Sequence, residues 1–294
     1  MRPPLILASL LAFSAALLLS LGPVGCGSTG SARFAFTATA AGIERDPTQP
    51  FSFVNETGWS ITLTRANVTL GPVYLNVIAP LNDGPISLLP RLGVRRAFGD
   101  DDHLGGGREV GEVLGQVTFD ALAPTPTPFP VSGTMTQEQI RTAEIWLWPP
   151  PGQAPETLNI ESPSVDVAGE AVRGDARIRF RGALILNDAW TTDAKPGDRS
   201  AQPVASLRKV RGVPTTFFPT QGGSLAIRFD VRALFRGAEF SNLAANPADR
   251  DGTKILVQSR TGRLTTDQVM RNLFQGLRAS TGTYAVRWSE RQGD

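Results

Sequence analysis

The chain has 294 residues, and its 29 Lys+Arg nearly balance its 27 Asp+Glu, which excludes the strongly basic surface that nucleic-acid binding requires. Its single cysteine excludes an internal disulfide, and one cysteine, one histidine and three methionines are too few soft ligands for copper. Thirty glycines and 23 prolines without a fixed period divide the chain into short segments, which is typical of a β-sheet protein.

The N-terminus has the three parts of an export signal: Arg2 as a positive start, an apolar run over residues 5–21, and small residues before Cys26. The run contains three serines and falls short of the roughly 20 apolar residues that span a bilayer. Pro23-Val24-Gly25-Cys26 resembles the lipobox of bacterial lipoproteins, with Pro23 where leucine is usual. The resemblance implies that residues 1–25 are a lipoprotein signal peptide and that Cys26 is lipidated. An ordinary secretory signal and an uncleaved anchor are the alternatives.

Lipidation of Cys26 would make a membrane the first partner of this protein. At about 0.8 kcal/mol per buried methylene, two or more acyl chains such as palmitate hold a protein on a membrane, whereas one does not. Gly27 gives no acidic retention signal for an inner membrane, so the outer membrane of a bacterial cell envelope is the favoured location. Residues 26–32 are small and polar and predict a flexible tether, with a body over residues 33–294.

The first half of the body shows alternating apolar residues that predict strands. Alternation begins at Phe34 and is clearest from Trp59 to Leu63. The phase slips before Ala66, which predicts a β-bulge, and Gly71-Pro72 predicts a bend. Further strands are predicted at these apolar positions: Val73, Leu75, Val77, Val110, Val113, Val117 and Phe119.

Two segments interrupt this pattern. Residues 80–107 are rich in Pro, Gly and Asp and predict a long surface excursion. Alternate prolines from Pro124 to Pro130 predict a stiff, extended stretch. This stretch is either a linker between two domains, with a boundary near 123–151, or a crossover strand within one domain, which we favour.

The second half has strands of the same kind and one helix. The strand positions are Ile145, Leu147, Val165, Val167, Ile178, Phe180, Leu184, Leu186, Leu225, Ile227, Phe229, Val231, Tyr284, Val286 and Trp288. Thr265 and Gln268 are spaced as a capping box, and an apolar stripe from Val269 to Leu277 predicts an amphipathic helix that packs on the core. The fold class predicted is mainly β: an antiparallel β-sandwich with long loops and one C-terminal amphipathic helix.

Two stretches of the sequence resemble known protein families. Residues 58–66 with 71–74, and residues 229–235 with Phe240 and Leu243, resemble uncharacterised β-rich bacterial envelope lipoproteins. More distantly they resemble methanobactin-associated periplasmic β-sandwich proteins. The resemblance implies a β-sandwich in the cell envelope, and for the second family copper binding. The histidine-rich character of that second family is absent from this chain.

One loop offers metal ligands. Asp100, Asp101 and Asp102 supply oxygens suited to calcium, and His103 adds a nitrogen suited to zinc; a solvated acidic loop is the alternative. Residues 246–252 lack the acids that a calcium loop needs at its first and last positions, and predict a turn. Residues 105–108, Gly-Gly-Gly-Arg, lack the strand and helix of a phosphate site and predict a flexible link.

No residue pattern predicts a catalytic site. His103, the only histidine, lies in a glycine-flanked loop that would hold a catalytic base poorly, so no catalytic residue is assigned. Trp190 is a large ring in a polar segment that would stack on a sugar or peptide, or fold back onto the body.

Three functional hypotheses follow. The first is a non-catalytic envelope lipoprotein whose body binds a ligand or partner, an envelope protein or polysaccharide, through the loops at 80–109 and 188–203, or serves a structural role. The second is a calcium- or zinc-binding envelope protein that uses the Asp100–His103 loop. The third is a carboxylate-based hydrolase of envelope polymers, which requires two acids facing each other across a cleft.

Overall fold

A computed structural model describes residues 32–77, 108–147, 163–186, 209–258 and 267–290. These residues are mainly in strands: β1 (Arg33–Gly42), β2 (Phe51–Val54), β3 (Ser60–Leu70), β4 (Val73–Asn76), β5 (Glu109–Val113), β6 (Val117–Asp120), β7 (Thr127–Pro128), β8 (Gly133–Thr136), β9 (Ile140–Trp146), β10 (Val165–Arg173), β11 (Ala176–Leu184), β12 (Lys209–Phe217), β13 (Ser224–Phe229), β14 (Lys254–Ile255) and β15 (Tyr284–Ser289). Two 3₁₀ helices cover Val231–Phe235 and Phe240–Ala245, and helix α1 covers Gln268–Arg278.

The strands form two sheets. The large sheet has the order β12-β9-β4-β5-β8-β1-β13-β15, with β7 paired to β1, and the small sheet has the order β14-β11-β10-β3-β2, with β6 paired to β3. Most neighbours are antiparallel, but β1 pairs with β13 in parallel. The two end strands of the large sheet meet, because Thr215 Oγ1 on β12 donates to Val286 O on β15 at 2.8 Å and the rings of Phe217 and Trp288 stack.

One face of each sheet contributes to a common core. Ile61, Val167 and Phe180 of the small sheet belong to the same cluster of buried residues as Leu75 and Leu225 of the large sheet. The rings of Phe180, Phe235 and Phe240 pack within 4.9 to 6.2 Å of one another, so the 3₁₀ helices are also held by this core. The prediction of a mainly β protein with a C-terminal helix is confirmed. Among the described residues no helix is long and apolar enough to cross a membrane.

The predicted bulge lies in β3. Arg65 pairs with Ala168 of β10, whereas Leu63 pairs with Gly169, so Thr64 is an extra residue in the ladder. Thr64 and Arg65 are therefore both exposed on the outer face, while Leu63 and the residues after the bulge return to the core. The bulge is confirmed, and it explains the slip in the apolar alternation.

The predicted bend at Gly71-Pro72 carries the chain from one sheet to the other, since β3 belongs to the small sheet and β4 to the large sheet. Gly71 has φ +115°, and a Cβ atom there would lie 2.2 Å from Gly115 O. Only glycine meets both conditions without strain. The proline-rich stretch makes a second crossing, because β6 pairs in the small sheet and β7 pairs with β1 in the large sheet.

Helix α1 begins two residues later than the capping box predicts. Its N-cap is Asp267, whose Oδ1 accepts from Met270 N at 3.0 Å, so the assignment of Thr265 as the cap is wrong. Aspartate caps a helix as well as threonine does, and here Asp267 Oδ2 also accepts from Asn246 Nδ2 at 2.6 Å. The apolar stripe of Val269, Met270, Leu273, Phe274 and Leu277 is buried in the core, as expected.

Candidate functional site

The site residues that the sequence predicts lie outside the described residues. This holds for the proposed lipidation site Cys26 with residues 1–25, for the metal ligands Asp100, Asp101, Asp102 and His103, and for Trp190. Their roles stay predictions. Within the described ranges, no three or more His, Cys, Asp or Glu side chains are grouped so that they hold a metal ion.

The structure instead shows a group of ionisable side chains, three glutamates and one tyrosine, on the outer face of the large sheet. We call Tyr74, Glu109, Glu112 and Glu144 the carboxylate row. The register places Tyr74 of β4 beside Glu144 of β9 on one side and Glu112 of β5 on the other. Their chain neighbours, such as Leu75 and Ile145, point into the core. The row therefore lies on the face that the core does not use.

A second bulge brings two acids of β5 to the same face. Asn76 of β4 pairs with Glu109 and Leu75 pairs with Gly111, so Val110 is the extra residue. Residues three apart in a regular strand lie on opposite faces, but here Val110 and Val113 both enter the core. Glu109 and Glu112 consequently share the outer face.

Glu144 forms the buried end of the row. Its side chain is 5% exposed and accepts from Trp146 Nε1 at 3.0 Å, while Lys209 Nζ, which is fully buried, lies 3.3 Å from Glu144 Oε1. Arg211 Nε lies 3.6 Å from Glu144 Oε2, and the Lys209 ammonium is 4.8 Å from the centre of the Trp146 ring. Burial raises the pKa of Glu144, and the two cations oppose that rise.

Glu109 and Glu112 form the more accessible end. Arg33 Nη2 binds Glu112 Oε1 at 3.0 Å. The pKa of Glu109 is raised from its ordinary value of 4.5 to about 7, first by burial and then by the charge and hydrogen bonding of Glu112, and Arg33 opposes the rise. Burial, followed by the charges of the row's three carboxyl groups, raises the pKa of Tyr74 to about 12. At neutral pH, Glu109 therefore carries a proton for a large fraction of the time and can donate or accept a hydrogen bond.

Chain order connects the row to the predicted binding loops. The described chain leaves β4 at Val77 and returns at Arg108 before β5, and the segment between them contains Asp100–His103. The segment that contains Trp190 joins β11 to β12, where Lys209 is the first strand residue. Both predicted loops are thus attached to strands that carry the row or its cations.

The acidic turn at residues 246–252 packs against the small sheet. Asp249 N donates to Thr253 O and Gly252 N to Asp249 O, which closes the turn. Asp249 pairs with Arg181 at 2.6 Å and Asp251 with Arg179 at 3.1 Å. These carboxylates bind arginines of β11, and the interpretation of this segment as a turn is confirmed.

Comparison with known proteins identifies no homologue of this chain. Scans against protein-family models, curated proteins and solved structures each found no significant match to this chain. The sequence analysis does not identify the carboxylate row, and the one weak signal in the sequence concerns only the two acids of β5. The spacing of Glu109 to Glu112, parallel to that of Val110 to Val113, is the pattern that a bulge produces.

Proposed function

We propose that this protein is a non-catalytic lipoprotein of the bacterial cell envelope that is anchored through a lipid on Cys26. The outer membrane is the location that we favour. Its body binds a polar ligand or partner, an envelope protein or polysaccharide, through the carboxylate row. A β-sandwich is the architecture that we propose for this body, since two sheets share one core.

The buried ion pair of Lys209 and Glu144 carries this proposal. Removing two charges from water costs several kcal/mol per ion, and hydrophobic residues of similar volume would serve stability as well or better. The pair lies on the outer face, where the common core does not require it. Charges retained at such a cost are typical of binding and active sites.

Ligand binding is tested with soluble fragments of envelope polysaccharide and peptidoglycan, using the melting temperature of the full chain as the readout. We expect at least one fragment to raise the Tm of the wild type, and Glu112→Gln to abolish the rise. Glu170→Gln is the matched control, because Glu170 is also an ion-paired acid on an outer sheet face. A wild-type Tm that no fragment changes, or equal shifts in both variants, would contradict binding at the row.

The anchor has a separate test. Cells that express the wild-type chain with radiolabelled palmitate should label it, and Cys26→Ser should remove the label. Fractionation of the same cells reports which membrane holds the protein. Absence of label in the wild type would contradict lipidation.

The metal-binding alternative rests on Asp100, Asp101, Asp102 and His103. Calorimetric titration with calcium and with zinc, for the wild type and Asp101→Ala, tests it directly. Uptake by the wild type that the variant loses supports a metal site. Equal, negligible uptake by both rules it out.

The hydrolase alternative has one observation in its favour. The pKa of Glu109 is raised to about 7 beside Glu112, and a carboxyl group with a raised pKa is typical of acid–base roles. The two acids lie on one strand, however, whereas the hypothesis requires them across a cleft. Release of soluble fragments from purified peptidoglycan by the wild type, lost in Glu109→Gln, would support it. No release by the wild type would contradict it.

A further inference from the structure

The outer face of the small sheet has a cavity of about 420 Å³ that the carboxylate row does not touch. Its lining includes three arginines, Arg65 of β3 and Arg179 and Arg181 of β11, and one acid, Glu170. Glu170 is bound by Arg177 at 2.6 Å, so its charge is already compensated. Each of the three arginines is in turn paired with an acid that does not line the cavity: Asp166, Asp251 and Asp249. We call the space between these three arginines the arginine cavity.

The floor of the arginine cavity is Ala168, a small residue on the outer face of β10. The register sets Ala168 directly beside Arg65 on one neighbouring strand and beside Arg181 on the other. Because neighbouring strands are about 4.8 Å apart, the two arginine backbones stand roughly 10 Å apart across the alanine. The bulge in β3 also turns Thr64 to this face, and Thr64 lines the same cavity.

Acids outside the lining hold two of the arginines in fixed orientations. Asp166 binds Arg65 through Nε at 2.9 Å and Nη2 at 3.1 Å. Asp249 binds Arg181 in the same way, through Nε at 2.6 Å and Nη2 at 2.9 Å. A guanidinium group has five N–H donors, and each of these pairs uses two of them. Nη1 of both arginines remains without a partner among the described residues.

We propose that the arginine cavity binds a phosphate group. Two pre-oriented guanidinium groups on opposite walls, with free donors and a small floor between them, suit a tetrahedral anion that accepts hydrogen bonds on several sides. The acids that orient the arginines lie outside the cavity lining, so they fix the donors without occupying the space. The phosphate group could be inorganic phosphate or the phosphodiester of a lipid headgroup, because both have unesterified oxygens that accept hydrogen bonds from arginine.

The test measures binding to the full chain by calorimetry, with inorganic phosphate in one arm and glycerophosphoglycerol, the soluble headgroup of phosphatidylglycerol, in the other. We expect Arg65→Gln with Arg181→Gln to weaken binding at least tenfold. Arg173→Gln is the matched control, because Arg173 also lies on the small sheet, is ion-paired with Glu239 at 2.8 Å, and does not line the cavity. It should leave the affinity unchanged.

A second variant keeps every charge and fills the floor. Ala168→Leu should reduce binding as strongly as the double arginine variant, and both should keep the wild-type circular dichroism because these side chains lie on the surface. Tighter binding of inorganic phosphate identifies a free-phosphate site, and tighter binding of the phosphodiester identifies a headgroup site. No binding in either arm, or equal binding by the wild type and Ala168→Leu, overturns the proposal. The site lies on the other sheet from the carboxylate row, so neither result bears on the proposed function.

Discussion

Lys209 is a fully buried cation on the outer face of the large sheet. Its replacement tests how much its ion pair with Glu144 contributes to the free energy of unfolding. Lys209→Met would leave the buried carboxylate of Glu144 without its nearest cation. Breaking a buried pair from one side destabilises a protein by about 3–5 kcal/mol, and we expect a loss of this size in urea unfolding. The double variant Lys209→Met with Glu144→Gln should lose less than the single variant, because it removes both fully buried charges and the remaining cation, Arg211, is partly exposed.

An exposed pair supplies the control for Lys209. Arg177 and Glu170 lie 2.6 Å apart with 67% and 29% of their side chains exposed. Such surface pairs contribute about 0–1 kcal/mol, so Arg177→Met should change the free energy of unfolding by less than about 1 kcal/mol. Equal losses in Lys209→Met and Arg177→Met would show that the buried pair has no special role.

Glu109 makes the stability depend on pH in a defined direction. Its pKa is about 7 in the folded protein and near 4.5 in the unfolded chain, so the folded protein binds more protons between these values. Its contribution to stability is complete below pH 4.5 and is lost as the pH rises through about 7. Urea unfolding from pH 4 to 8 should therefore show a steeper fall in the wild type than in Glu109→Gln. Parallel curves for the two proteins would contradict the raised pKa.

The crossing between the sheets at Gly71 depends on a glycine. Gly71→Ala combines a backbone conformation that only glycine adopts readily with a Cβ atom 2.2 Å from Gly115 O. We expect a loss of about 3 kcal/mol in urea unfolding. Gly174→Ala is the matched control, since Gly174 has φ +56° and a Cβ atom there would meet no other atom within 4 Å. It should cost only about 1 kcal/mol, for the backbone strain alone.

Elements with strong alternation could be predicted from the sequence, including one bulge. In β3 the slip between Leu63 and Ala66 is visible because long apolar runs flank it on both sides. In β5 the bulge is hidden, because the strand has only five residues and Gly111 contributes no side chain to the pattern. Glu109 and Glu112 were therefore not recognised as neighbours. The helix was predicted from its apolar stripe, but two polar residues, Thr265 and Asp267, compete as caps and the sequence does not rank them.

The row as a whole was beyond sequence reasoning for a different reason. Glu144, Tyr74 and Glu112 come from three strands, and only the register of β9, β4 and β5 places them together. That register depends on pairings between segments far apart in the chain, which local patterns do not encode. The alternation of Ile145 and Leu147 does indicate that Trp146, which lies between them, faces away from the core, and the structure places its ring beside Glu144.

At the scale of the whole molecule, the shared core predicts unfolding in one step. Arg33–Asp294 form one compact unit, and both sheets supply residues to the same buried cluster. Tryptophan fluorescence and far-ultraviolet circular dichroism should therefore give one urea transition with coincident midpoints. Separate midpoints would instead indicate two domains, with a boundary near residues 123–151.

The parallel pairing of β1 with β13 determines when the large sheet can be completed. Strand β1 is near the start of the body, and most of the remaining chain lies between it and β13. The two paired strands are therefore far apart in the sequence. Contacts of this kind form late and slow the folding of β proteins. During synthesis, one side of β1 keeps its backbone donors and acceptors unpaired until β13 has been made, and such an open edge is a site for aggregation. We therefore expect aggregation during folding to begin at this edge of β1, before the large sheet is complete.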